Sequence, residues 1–158
     1  MKILVLCTGN SARSILLEAI LRHRGAGRIS AYSAGSRPAG RVHPQALDLL
    51  SAKGLPTAGL RSKSWDEFGA EHAPKLDLVI TVCGSAAGET CPVWYGAPLR
   101  AHWGVDDPAA AAEGDQPAAF AAAWNRLSTR ADAFLALDFA AMPRPALAAA
   151  LARIGDLP

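Results

Sequence analysis

The 158-residue sequence lacks the features that mark membrane and nucleic-acid-binding proteins. No apolar run approaches the ~18 residues of a membrane span. Charge of one sign is not in excess, because 16 Lys and Arg face 14 Asp and Glu, and the arginines are scattered rather than clustered. The N-terminus, MKILVLCTGN, turns polar after a short apolar run and has no signal-peptide cleavage site. We therefore expect a cytoplasmic protein that binds neither nucleic acid nor membranes.

Cysteine is also scarce, with only Cys7, Cys83 and Cys91. An odd number of cysteines does not resemble the disulfide framework of a secreted domain. Neither C-x2-C nor H-x3-H spacing is present, so we expect no metal site. A G-x-G-x-x-G loop is absent, which disfavours a dinucleotide-binding fold and a bound cofactor. The three cysteines are therefore expected to be catalytic, redox-active or simply buried.

The chain nevertheless has enough apolar residues, 51%, to build one globular domain spanning residues 1–158 without disulfide or metal staples. Short apolar runs alternate with segments of helical periodicity. Strands are predicted at residues 2–7, 29–33, 76–82 and 99–103, and helices at 15–23, 43–53, 116–137 and 143–154. This alternation is typical of an α/β fold in which helices cover both faces of a parallel sheet.

The most informative motif is C-T-G-N-S-A-R-S at residues 7–14, between the first strand and the first helix. Backbone N–H groups of such a loop, together with the helix dipole, form an anion-binding site. The predicted oxyanion-binding residues are Thr8, Gly9, Asn10, Ser11, Ala12 and Arg13. Asn10 tolerates a left-handed backbone, and Arg13 has a planar guanidinium that suits a tetrahedral oxyanion.

Cys7 is the predicted nucleophile of this loop. The same local field is expected to lower the pKa of its thiol well below the free-cysteine value of ~8.5. Ser14 is placed to donate a hydrogen bond from its hydroxyl to the thiolate. A thiolate beside an oxyanion site indicates attack of sulfur on phosphorus or a similar centre. The alternative is that Cys7 is a small buried residue and the loop a helix cap.

Residues 7–14, residues 32–35 (YSAG) and Asp107-Pro108 together resemble the low-molecular-weight protein tyrosine phosphatase fold family, and more closely its arsenate reductase branch. The resemblance implies a three-layer α/β/α fold with a four-stranded parallel sheet. It also implies that Asp107 is a general acid, for which Asp106 is the fallback. Pro108 restricts Asp107 to an extended conformation. The alternative is that Asp107 only caps a turn.

Cys83 ends the third strand, and Cys91 follows after a segment of small residues. Functional residues collect at the carboxyl ends of parallel strands, so Cys7 and Cys83 could approach one another. Such an arrangement suits a relay in which Cys7 attacks the oxyanion, a second thiol resolves the adduct and a third passes the disulfide outward. Otherwise Cys83 is a buried strand residue and Cys91 an idle thiol. The resemblance implies that Cys83 and Cys91 are the two additional cysteines of the reductases.

These residues predict thiol-dependent reduction of arsenate to arsenite. Residues 109–111 are alanines where the phosphatases of the family have aromatic residues, which favours a small inorganic oxyanion. The electron donor is expected to be thioredoxin or, because the Cys83–Cys91 gap is one residue longer than in the thioredoxin-coupled type, glutaredoxin with glutathione. The alternatives are a phosphatase acting on phosphotyrosine or small phosphate esters, and a non-catalytic phosphate or arsenate sensor.

Three further polar residues, Glu18, Ser33 and Asp66, resemble positions that support the loop or bind a potassium ion in some reductases of the family. Such an ion would lie near Asn10 and Glu18. The alternative is that Glu18 is a solvated helix residue and the other two belong to turns.

Overall fold

The computed structural model describes residues 1–69, 71–88, 94 and 96–158. The strands are β1 (Lys2–Cys7), β2 (Ser30–Gly35), β3 (Leu78–Thr81) and β4 (Leu99–His102). The helices are α1 (Arg13–Arg24), α2 (Pro44–Ala52), α3 (Gly84–Gly88), α4 (Gln116–Leu135) and α5 (Arg144–Gly155). Short 3-10 turns span Trp65–Phe68, Pro108–Ala110 and Glu113–Asp115.

The four strands form one parallel sheet, as expected, and their order is β2-β1-β3-β4. Cys7 pairs with Gly35, Leu6 with Thr81, and Thr81 with His102. This register places the carboxyl ends of β1, β3 and β4 at the same edge of the sheet. The segments that carry Cys7, Cys83 and Asp107 therefore all begin at that edge.

Side chains of β1 alternate between two apolar clusters. Ile3 and Val5 face the larger cluster, which α1, α2, α4 and α5 complete. Leu4 and Leu6 face a smaller cluster that includes Phe68 and Trp94. The fold thus has a thick layer of long helices, the sheet, and a thin layer that includes the 3-10 turn Trp65–Phe68. Within the described residues, no helix is long and apolar enough to cross a membrane.

Short elements are the main difference from the sequence expectation. Helix α3 was not predicted, because its residues, GSAAG, are small and have no apolar periodicity. No element was predicted between residues 103 and 116, but residues 107–116 contain two 3-10 turns and the start of α4. The predicted strand at residues 76–82 is shorter, Leu78–Thr81. These differences do not change the topology.

Candidate active site

The loop between β1 and α1 holds its carbonyl groups away from its concave side. Three of them accept hydrogen bonds from the segment after β2: Arg37 N–H donates to Thr8 (3.0 Å), Ala39 N–H to Gly9 (2.8 Å) and His43 N–H to Ser11 (2.9 Å). Among the described residues, the N–H groups of residues 10–13 donate to no acceptor. These groups are therefore available to an oxyanion.

Helix α1 begins in a way that favours an anion at its N-terminus. Ala12 is the N-cap residue and offers no side-chain hydrogen bond. The first turn contains no acidic residue that would compete for the N–H groups or the helix dipole. The sequence thus leaves the predicted oxyanion site to the backbone of the loop and to Arg13.

Asn10 holds the loop in shape from below. It has the expected positive φ, 43°, and is fully buried. Its Nδ2 donates to Ser14 Oγ (2.9 Å) and Ser33 Oγ (2.8 Å), and its Oδ1 accepts from the Lys63 N–H (2.8 Å). Every polar atom of this side chain is therefore used within the fold.

Ser14 helps to fix the loop, because its hydroxyl accepts from Asn10 Nδ2. This contact leaves the hydroxyl proton of Ser14 free, and no hydrogen bond joins Ser14 to Cys7 in this structure. The donation from Ser14 to the thiolate therefore stays a prediction.

Cys7 and Cys83 meet at the ends of the neighbouring strands β1 and β3, and only 5% and 4% of their surfaces are exposed. The neighbouring Cys83 thiol and burial raise the pKa of Cys7, although Arg13 and the Gly9 N–H lower it. The neighbouring Cys7 thiol lowers the pKa of Cys83 to about 5, with help from Thr8 and the Ala86 N–H. Thr8 Oγ1 lies 3.5 Å from Cys83 Sγ, and the Ala86 N–H donates to it over 3.3 Å.

The expectation of a low pKa for Cys7 is therefore wrong for the protein without an oxyanion. The loop field acts as expected, since Arg13 and Gly9 favour the thiolate. The stronger effect comes from Cys83, whose contact with Cys7 the sequence could suggest but not measure. The two thiols therefore titrate as a pair that shares one proton once the first has left.

Arg13 and Asp107 form an ion pair at the opening of the loop. Arg13 Nη2 lies 3.1 Å from Asp107 Oδ2, and Nη1 donates to the Val105 carbonyl over 2.9 Å. The Nε atom of Arg13 is buried and has no hydrogen-bond partner among the described residues. Nε and Nη2 lie on one edge of the guanidinium, so an oxyanion could accept from both.

Asp107 caps a turn and also reaches the opening of the loop, so its role as general acid stays a prediction. Its backbone is extended, and its carboxylate caps the 3-10 turn by accepting from the Ala109 N–H over 3.2 Å. At the same time Oδ2 reaches the guanidinium of Arg13. Asp106 instead points to solvent, 3.9 Å from Arg126, so the fallback acid lies away from the loop.

Glu18 and Ser33 lie together beneath Asn10, and both are fully buried. The Ser33 hydroxyl donates to Glu18 Oε2, and Arg22 Nη2 lies 2.6 Å from Oε1, although the angle is not that of a hydrogen bond. Burial raises the pKa of Glu18, while Ser33, Lys63 and Arg22 lower it.

The cluster does not fit the potassium ion that the resemblance implied. The Lys63 ammonium lies 3.9 Å from Glu18 Oε2 and already supplies a positive charge. The Asn10 carbonyl oxygen is occupied by the Lys63 N–H. Asp66, the third expected ligand, accepts from the Ser64 hydroxyl in an exposed turn and does not join the cluster. The predicted role of Glu18 as support for the loop agrees with these contacts.

Sequence reasoning missed Lys63 and the Val105 carbonyl, because neither lies in a motif. Cys91 lies outside the described residues, so its role in the relay stays a prediction. Among the described residues, no three His, Cys, Asp or Glu side chains are grouped closely enough to hold a metal ion.

Comparisons with known proteins identify chains that are similar to this one. A family model for low molecular weight phosphotyrosine protein phosphatase matches residues 2–144. An arsenate reductase from Halalkalibacterium halodurans is 37% identical over 70% of this chain and 76% of its own length. A glutaredoxin arsenate reductase from Synechocystis is 31% identical over 68% of this chain and 78% of its own length.

A solved structure is similar over most of both chains. An arsenate reductase in the phosphate binding state shares 26% identity over 83% of this chain and 96% of its own, with a TM-score of 0.64. The match extends well beyond the loop at residues 7–14. The chain therefore belongs to the low molecular weight phosphotyrosine protein phosphatase family.

Proposed function

We propose that this protein is a thiol-dependent arsenate reductase, which converts arsenate to arsenite. The observation that carries the proposal is the contact of Cys7 with Cys83 beside a loop that offers free N–H groups and Arg13. A phosphatase needs one nucleophilic thiol, whereas reduction of arsenate needs a second thiol to complete a disulfide. The arsenate reductases from Halalkalibacterium halodurans and Synechocystis support this choice.

Arsenate would bind through its oxygens to the N–H groups of residues 10–13 and to Arg13. The buried Nε of Arg13 supplies a donor that no group of the described part of the chain uses. Arg13 remains anchored through the Val105 carbonyl, so its orientation is fixed before the oxyanion arrives. This preorganisation favours the charge that develops on oxygen during the reaction.

In the first step the sulfur of Cys7 attacks arsenic. A sulfur–arsenic bond forms, an arsenic–oxygen bond breaks, and the oxygen leaves as water with a proton from Asp107. Cys7 must also give up the proton that it shares with Cys83. The Cys83 thiolate is the base in contact with it and accepts that proton.

In the second step the sulfur of Cys83 attacks the sulfur of Cys7. The new disulfide forms as the sulfur–arsenic bond breaks, and its electron pair stays on arsenic. Arsenic is thereby reduced from the pentavalent to the trivalent state, and the proton of Cys83 passes to an arsenite oxygen. Two thiols supply the two electrons, so no bound redox cofactor enters the balance.

The disulfide then has to be reduced. We propose that Cys91 attacks Cys83, releases Cys7 and presents a Cys83–Cys91 disulfide to an external thiol donor. The Synechocystis relative favours glutaredoxin with glutathione as this donor, and thioredoxin is the alternative. The free thiols of Cys7 and Cys83 suit a reducing compartment, which supports the expected cytoplasmic location.

Hydrolysis of phosphate esters is the second candidate activity. The loop, Arg13 and Asp107 would serve it equally well, and the family model is that of a phosphatase. The alanines at residues 109–111 offer no ring to stack on an aromatic substrate. We therefore expect it as a slow side activity on small esters.

Replacement of the two additional cysteines separates the candidates. Cys83→Ser should stop multiple-turnover arsenate reduction with every donor, yet leave hydrolysis of p-nitrophenyl phosphate intact. Cys91→Ser should stop reduction only where the protein forms the second disulfide itself. Arsenate reduction that survives the double replacement with glutaredoxin and with thioredoxin would refute the relay. Efficient phosphotyrosine hydrolysis without arsenate reduction in the unchanged protein would identify a phosphatase.

A further inference from the structure

The segment that carries Asp107 is held by the fold at successive residues. We call residues 103–107 the acid loop. The Trp103 N–H donates to the Thr81 carbonyl (2.8 Å) and the Val105 N–H to the Val82 carbonyl (3.0 Å). The buried indole of Trp103 donates to the Leu151 carbonyl over 3.1 Å. The Gly104 carbonyl lies between these anchored residues.

Arg130 of α4 holds that carbonyl. Its Nη1 donates to the Gly104 carbonyl over 2.9 Å. On its other side, Nε and Nη2 both donate to the Leu157 carbonyl, over 3.1 and 2.8 Å. The guanidinium therefore connects the acid loop to the segment after α5.

Such an arginine is unusual because its surface is only 4% exposed and no ion pair with a carboxylate is found among the described residues. Burial lowers the pKa of Arg130. A buried charge costs free energy unless hydrogen bonds satisfy it, and here all of them go to backbone carbonyls. The residue is therefore suited to fix backbone positions rather than to neutralise an acid.

We propose that Arg130 is a positioning residue for the general acid: it fixes the path of the acid loop and so holds Asp107 beside Arg13. This inference rests on the proposed role of Asp107 as the acid. Gly104 lies three positions before Asp107, and Trp103 lies four positions before it. Between them and Asp107, Val105 is held by hydrogen bonds of both its N–H and its carbonyl. Loss of the Gly104 anchor should therefore shift the carboxylate away from the loop.

The anchor also depends on the C-terminal helix and the residues after it. Helix α5 lies against β4 so closely that a Cβ at Gly155 would come within 2.4 Å of the His102 carbonyl. Leu151 and Leu157, which accept from Trp103 and Arg130, belong to this region. The acid loop is thus held in part by α5 and the segment that follows it.

A double-mutant cycle tests the proposal. The rate of arsenite release in a single turnover, without added reductant, is measured for Arg130→Met, Asp107→Asn and the double variant. Arg130→Lys is tested in parallel, because it keeps the charge but cannot reach both carbonyls. Arg153→Met is the matched control, since Arg153 is exposed on α5 and its side chain makes no hydrogen bond to a described residue. Thermal unfolding is followed for each variant.

We expect Arg130→Met to slow the turnover by about tenfold or more in the unchanged protein and by less than about twofold in the Asp107→Asn background. Arg130→Lys should show the same dependence of the rate loss on Asp107. It replaces Arg130→Met in the cycle if the methionine variant does not fold. An equal loss in both backgrounds, or no loss at all, overturns the role of Arg130. No effect of Asp107→Asn itself overturns the acid assignment in the proposed function instead.

Discussion

The thiols of Cys7 and Cys83 are buried side by side at the carboxyl ends of the neighbouring strands β1 and β3, and each shifts the pKa of the other. This contact joins the nucleophile of the oxyanion-binding loop to the thiol that would resolve its adduct. Cys7 should therefore titrate differently from a lone cysteine in a phosphate-binding loop.

Cys83→Ser should lower the pKa of Cys7. The replacement removes the hydrogen bond and the negative charge that raise it, while Arg13 and the Gly9 N–H remain. The thiolate that forms at pH about 5 in the pair should disappear with Cys83. Ultraviolet absorbance of the thiolate against pH measures both effects, with Cys91→Ser as the common background. A Cys7 pKa that stays unchanged or rises in Cys83→Ser would show that the pair does not share a proton.

Arg13→Lys should reduce kcat/KM for arsenate by about 30- to 1,000-fold. The lysine keeps the charge but loses the planar edge that Nε and Nη2 offer, which is worth roughly 2–4 kcal/mol in transition-state binding. Steady-state kinetics with arsenate measures the loss. Arg37→Lys is the control, because only its backbone N–H contacts the loop and its side chain is exposed. Equal activity of Arg13→Lys and Arg37→Lys would mean that Arg13 does not bind the oxyanion.

Asn10→Ala should lower the free energy of unfolding by about 3–4 kcal/mol. Three buried hydrogen bonds are lost at about 1 kcal/mol each, and alanine is strained at the positive φ by about 1 kcal/mol more. Asn10→Gly loses the same hydrogen bonds without the strain, so it should be less destabilised than Asn10→Ala. Urea unfolding of the two variants checks this order. A glycine variant less stable than the alanine variant would argue against the left-handed conformation.

Glu18→Gln should change how stability depends on pH. The folded-state pKa of Glu18 is raised above 4.5, chiefly by burial, so its contribution to stability is full below pH 4.5 and is lost as pH rises through the folded value. The free energy of unfolding of Glu18→Gln, relative to that of the unchanged protein, should therefore increase as the pH rises above 4.5. Urea unfolding at several pH values measures this difference.

Glu67→Gln is the control for that experiment, because the pKa of Glu67 is shifted in the opposite direction. Glu67 is paired with Arg61 at the surface, and the hydrogen bond lowers its pKa below 4.5. Its contribution is present above pH 4.5 and is lost only as the pH falls through the lowered value. Equal pH profiles for the two glutamine variants would contradict the burial of an ionisable Glu18.

The sequence predicted the sheet and the site loop because their determinants are local. The strand at residues 2–7 is a short apolar run, and C-x5-R at a strand–helix junction already specifies where N–H groups and an arginine meet. The left-handed turn at Asn10 was expected for the same reason, since few residues other than glycine tolerate it. The family match and the parallel sheet confirm the predicted fold, and Asn10 has the positive φ that was expected.

Contacts between distant segments could not be predicted. Lys63 lies in an irregular segment without a recognisable sequence motif. Its N–H binds Asn10 and its ammonium lies beside Glu18, the two residues near which a potassium ion was expected. Arg130 lies in a helix whose sequence gives no sign that the guanidinium is buried. The pKa of Cys7 is raised rather than lowered because Cys7 contacts Cys83, which lies 76 positions away. Only the register of β1 and β3 establishes that contact.

The most direct test of the central claim maps the cysteines after one turnover with arsenate in the absence of any added reductant. We predict one arsenite released per chain, together with a disulfide between Cys7 and Cys83 or, after transfer, between Cys83 and Cys91. Cys7→Ser should release no arsenite and form neither disulfide. Release of arsenite while all three thiols stay free, or no release of arsenite from the unchanged protein, would contradict the account.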